Sequence, residues 1–69
     1  MPHVASAHTF RTDLYDVGWT PAILAHKLDT PEQMALDWWS GEAPVPENVA
    51  KLVADLAEAC RRIMAENGF

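Results

Sequence analysis

Glycine and proline divide this chain into four pieces, and that punctuation limits the fold more than any other feature. Gly18, Thr20-Pro21, Thr30-Pro31, Ser40-Gly41, Pro44 with Pro46, and Gly68 mark the breaks. Proline suits a first helical turn because the N–H it lacks would be unpaired there, and glycine accepts the left-handed geometry that ends a helix. Each break therefore reads as a helix end, a helix start, or both. Between the breaks, apolar residues recur at helical spacing. No segment alternates with period two, so no strand is expected.

The first piece, about Thr9 to Val17, carries Phe10, Leu14 and Val17 on one helix face, with Gly18 as its stop. The second opens at Thr20-Pro21, presents Leu24, Ala25 and Leu28, and ends near Leu28. The third runs from Pro31 to Trp39. Thr30 followed by Gln33 has the spacing of a capping box, and Met34, Ala35 and Trp38 form the inner face. The last helix starts at Pro46 and reaches about Asn67. Val49, Leu52, Val53, Leu56, Cys60, Ile63 and Met64 supply one apolar stripe along it. The division is a flexible N-terminal tail over 1–8 and a domain over 9–69, with a helix-turn-helix at about 20–40 and a C-terminal helix at about 46–67. The fold class is all-α, a compact four-helix domain with a long C-terminal helix.

Length narrows the options further. The chain has 69 residues and one cysteine, so one small domain without an internal disulfide is expected. A domain of this size hides only about 60% of its unfolded surface, and stability must come from good helix packing or from a second copy. No apolar run approaches a membrane span and no charged-then-apolar leader opens the chain, so a cytoplasmic location is expected. His3, His8 and His26 lack metal-ligand spacing, and Ser6 and Ser40 have no triad context. The expectation is a protein that is not an enzyme, with no cofactor, no metal and no small-molecule substrate.

The ordered set Val17-Gly18-Trp19-Thr20, Leu24-Ala25, Leu28, Trp38 with Gly41, and Pro44-Val45-Pro46 resembles the lambda-repressor-like (XRE/Cro-type) helix-turn-helix family. The resemblance covers about Phe10 to Leu56. It implies a small transcriptional regulator that binds operator DNA as a homodimer, with its third helix in the major groove. Thr30, Glu32, Gln33, Leu36, Asp37 and Trp39 would then touch DNA or a partner, and Arg11, Thr20 and Lys27 would touch phosphates. Trp38 matches the family's core Trp. Trp39 follows it directly, so it cannot share the inner face, and it reads either as an exposed anchor or as packing on the last helix. Asp29 stands where the family's turn usually has Gly, and Pro21 where it has a polar residue.

Charge pulls the other way. The formal net charge is −5, and all of it lies between Leu28 and Ala50. That stretch holds Asp29, Glu32, Asp37, Glu42 and Glu47 and no Lys or Arg, whereas the rest of the chain carries five of each sign. Phosphate binding is driven by Lys and Arg, and a reading helix of carboxylates does not approach phosphates without compensation. The alternative is therefore a helix-turn-helix fold that has lost its DNA face. It would bind a partner protein's basic nucleic-acid-binding surface, as antirepressors and anti-CRISPR proteins of phages and mobile elements do. Near the C-terminus, Cys60, Ile63 and Met64 have no sequence left to cover them and read as a dimer seam, flanked by Arg61 and Arg62 in reach of Glu58 or Glu66.

Overall fold

A computed structural model describes residues 7–68, and within them the chain is four helices with no strand. They are α1 (Ala7–Val17), α2 (Pro21–Leu28), α3 (Glu32–Ser40) and α4 (Glu47–Glu66). The first helix begins at Ala7, so Ala7 and His8 belong to α1 and not to a tail. The rest of the expected tail, with His3 and Ser6, lies outside the described residues.

The breaks work through backbone hydrogen bonds. At the end of α1, Gly18 takes φ +84°, which lets its N–H reach the Tyr15 carbonyl and the Trp19 N–H reach the Leu14 carbonyl, both at 3.0 Å. The same closure recurs after α2 with an aspartate. Asp29 sits at φ 53°, its N–H bonds the His26 carbonyl at 3.2 Å, and the Thr30 N–H bonds the Ala25 carbonyl at 2.9 Å. Such paired bonds satisfy the last carbonyls of a helix, and Asp is among the few side chains that tolerate this backbone region. At the start of α2, the Thr20 hydroxyl accepts from the Ile23 N–H at 3.2 Å.

The capping box expected at Thr30 and Gln33 does not form. Thr30 is committed to closing α2, where its hydroxyl also donates to the Ala25 carbonyl at 3.5 Å. Pro31 stands before the first turn of α3 with no side-chain cap, and Gln33 bonds Asp37 instead.

Phe10 and Leu14 of α1, Leu24 and Ala25 of α2, Ala35 and Trp38 of α3, and Val49 and Val53 of α4 make one core. Trp19, Leu28, Trp39, Ala43 and Val45 pack on its margin. α1 is the common partner: it lies along α4 and touches α3, while α2 pairs with α3. The α1 and α4 axes run in the same sense. Ala7 lies beside Gly41, just before α4, and Asp13 and Asp16 reach Arg61 near its end.

Two inner-face assignments change. Met34 is 44% exposed, leaving Ala35 and Trp38 as the buried residues of α3. On α4 the buried residues are Val49, Ala50, Val53 and Ala57. Leu52 and Ile63, assigned to the same stripe, are 40% and 58% exposed. The expected single stripe is thus two adjacent faces, and small alanines fill the inner one, where α1 lies close.

Candidate functional site

On α3, Ala35 and Trp38 turn inward, which leaves Glu32, Gln33, Leu36, Asp37 and Ser40 on the outer face. This is the face the sequence assigns to recognition. Gln33 Nε2 donates to Asp37 Oδ1 at 2.9 Å, one turn along. The Ser40 hydroxyl donates to the Asp37 carbonyl at 3.3 Å and accepts from the Glu42 N–H at 3.4 Å, which ties the end of α3 to the following loop. Glu32 and Gln33 are exposed, Asp37 is half-buried, and Leu36 keeps 38% of its surface in solvent. Ile23 of α2 and Met34 of α3 add apolar surface at 39% and 44% exposure. The sequence pattern assigned Met34 to the core and Ile23 to no role.

Trp39 does not stand on this face as an exposed anchor. It is half-buried against the core margin, and its carbonyl accepts from Arg11 Nη1 at 2.8 Å. α3 ends one residue later and the loop turns back toward α1, so the ring finds cover that helical spacing alone does not reveal. Thr30 is likewise half-buried, with both its N–H and its hydroxyl directed to Ala25.

Arg11, Thr20 and Lys27, the expected phosphate contacts, are each engaged separately. Arg11 is half-buried and holds Trp39; Thr20 is exposed and caps α2; Lys27 is exposed, with its ammonium 6.0 Å from the centre of the Trp19 ring. That separation is at the outer limit of a cation–π contact.

The other cations are spoken for as well. Lys51 pairs with Asp55 at 2.9 Å and Arg62 with Glu58 at 3.2 Å, both one turn apart on α4. Arg61 does not pair with Glu58 or Glu66. It crosses to α1, where it contacts Asp13 at 2.9 Å and also Asp16 at 2.6 Å. Asp13 is only 7% exposed, so the guanidinium supplies the countercharge its carboxylate needs. Hydrogen bonds that Arg61 donates to Asp13, and then to Asp16, raise its pKa above its already high ordinary value. Sequence spacing does not reveal this clamp, because Asp13 sits between the apolar positions of α1 and its partner lies 48 residues away.

All five Lys and Arg residues therefore have an internal partner. By contrast, Asp29, Glu32, Asp37, Glu42, Glu47 and Glu66 have no cationic partner among the described residues, and the first five span α3 and its flanks. The expected seam at Cys60, Ile63 and Met64 lies on the last turns of α4. Cys60 is a half-buried free thiol, and Ile63 and Met64 are 58% and 51% exposed. Among the described residues no group of three or more His, Cys, Asp or Glu is arranged to hold a metal ion, and no helix is long and apolar enough to cross a membrane. No protein-family model, curated protein or solved structure matches the chain.

Proposed function

We propose that this chain is an interaction protein built on a helix-turn-helix scaffold, and that the outer face of α3 with its flanking loops binds a cationic surface on a partner protein. One observation carries the reading. Asp29, Glu32, Asp37, Glu42 and Glu47 have no cationic partner among the described residues, while Arg11 and Arg61 are bonded to Trp39 and to Asp13 and Asp16, and the exposed Lys51 and Arg62 lie beside Asp55 and Glu58. A face of this kind attracts Lys- and Arg-rich surfaces, speeds encounter with them and repels phosphates. Leu36, on the same face and 38% exposed, supplies apolar area that such an interface buries. The partner surface is of the kind that otherwise holds nucleic acid, so the chain would act as a competitor, and the reading implies a cytoplasmic location.

The test is titration of the ¹⁵N-labelled chain with a Lys/Arg-rich peptide at about 50 mM salt. Amide shifts are expected on α3 and over residues 42–47. Glu32→Lys/Glu42→Lys/Glu47→Lys, three exposed positions, should weaken binding about tenfold or more. Shifts scattered over the whole surface, or unaffected by the triple variant, contradict the reading.

Operator DNA binding as a homodimer is the second reading. The helix–turn–helix geometry favours it, with the exposed Thr20 hydroxyl at the cap of α2, a three-residue turn over 29–31, and exposed Gln33, a residue type able to read adenine, on α3. Thr20, Lys27 and Arg11 would then approach phosphates, which requires Arg11 to release Trp39. Duplex titration separates the two readings.

A further inference from the structure

We infer that the outer stripe of α4 is a self-association surface, and that a second copy of this chain docks on it antiparallel. The stripe is Leu52, Leu56, Ala59 and Ile63, at spacings of four, three and four. Leu52 and Leu56 each precede a buried residue, Val53 and Ala57, so the stripe is turned about 100° from the face that packs on α1. It faces solvent: Leu52 and Ile63 are 40% and 58% exposed, Ala59 is exposed, and only Leu56 is half-buried. Met64 is not part of it. Met64 lies seven residues beyond Ala57, which continues the core-facing side past the end of α1.

The 4-3-4 spacing reads the same in both directions, which a two-fold antiparallel pair requires. With the axis between residues 57 and 58, Leu52 meets the partner's Ile63 and Leu56 meets the partner's Ala59. Each layer then joins a large side chain to a complementary one. A parallel pair would set Ala59 against its own copy and leave a gap.

The flanking charges select the same arrangement. Asp55 lies between Leu52 and Leu56 along the axis, and Arg62 between Ala59 and Ile63. Those intervals coincide in the antiparallel pair, so Asp55 and the partner's Arg62 flank the same side of the seam, about 3 Å apart along the axis and within reach of an arginine side chain, and the reciprocal pair forms by symmetry. A parallel pair sets Asp55 and its copy on opposite sides of the seam, each facing residue 60, a cysteine, so no Arg62 comes beside it. Asp55 and Arg62 now hold Lys51 and Glu58, but these four side chains are 62–74% exposed and free to exchange partners. The surface is separate from the α3 face, so this inference does not depend on what α3 binds.

Mass measurement by sedimentation and light scattering from about 5 to 200 μM tests it. The wild-type chain should move toward twice its 7.7 kDa mass as concentration rises. Ile63→Glu, at an exposed position, should keep the wild-type helicity by circular dichroism and stay at one chain. Asp55→Arg and Arg62→Asp should each weaken self-association roughly tenfold, because two attractive pairs become repulsive. Mixed in equal amounts, those two variants should form a heterodimer at least as tight as the wild type. A wild-type mass of one chain at 200 μM overturns the proposal, as does an Ile63→Glu variant that remains two chains. A mixture that fails to associate while the wild type does overturns the antiparallel register.

Discussion

Ile23 and Leu24 are neighbours on α2, nearly equal in size and apolarity, and the structure gives them opposite fates. Leu24 is fully buried in the core with Phe10, Leu14 and Val53, whereas Ile23 is 39% exposed. Leu24→Ala removes three carbon atoms from a packed site. At ~0.8 kcal/mol per methylene the transfer loss is about 2.4 kcal/mol, and the unfilled cavity brings the total to about 3 to 4 kcal/mol. A chain of this length has a total stability of roughly 3 to 10 kcal/mol. The variant should therefore sit near its unfolding limit, with a melting temperature about 12 °C or more below wild type. Ile23→Ala vacates surface open to water, keeps the backbone bond to Thr20, and gains helix propensity. Its net effect should stay within about 1 kcal/mol. Urea unfolding followed at 222 nm reads both numbers, with an unchanged slope as the control for two-state behaviour. A loss below about 1 kcal/mol for Leu24→Ala, or equal losses for the two variants, would refute the orientation of α2 and with it the placement of α3.

Three further outcomes follow from the helix ends and the clamp. Asp29→Gly relieves an L-residue of its φ of 53° and should raise the melting temperature by a few degrees, whereas Gly18→Ala should lower stability by about 1 kcal/mol although nothing lies within 4 Å of the added methyl. Thr20→Ala loses the bond to the Ile23 N–H and should cost about 1 kcal/mol in the same unfolding assay. Arg61→Gln withdraws the countercharge of Asp13 and Asp16, so amide exchange should quicken along the last turns of α4 while α2 and α3 keep their protection.

The architecture is legible in the sequence wherever a residue's local chemistry decides the structure. Gly18 can take a positive φ and Thr20-Pro21 can start a helix regardless of what lies elsewhere, so the four helices and their order follow from punctuation and period. Misreadings occur where one residue has two uses. Thr30 can cap the next helix or close the previous one, and the second use wins because the left-handed Asp29 already aims its N–H at Ala25. The α4 residues form two apolar faces that a single helical period merges, and only the position of α1 tells Val53 from Leu52. Trp39 is drawn inward by the loop and by Arg11, neither of which its own spacing encodes. The outer face of α3 is legible because Ala35 and Trp38 fix its rotation. Its lack of cationic partners is not, because that depends on the long-range engagement of Arg11 and Arg61.

On the proposed function, the outer face of α3 repels nucleic acid rather than binding it. Fluorescence anisotropy of a labelled random duplex, titrated with the chain to about 50 μM at ~50 mM salt, tests it most directly, because even non-specific DNA binders show affinity at low salt. A flat titration, unchanged at higher salt, is expected. A saturable rise that weakens with added salt would contradict it and return α3 to the major groove.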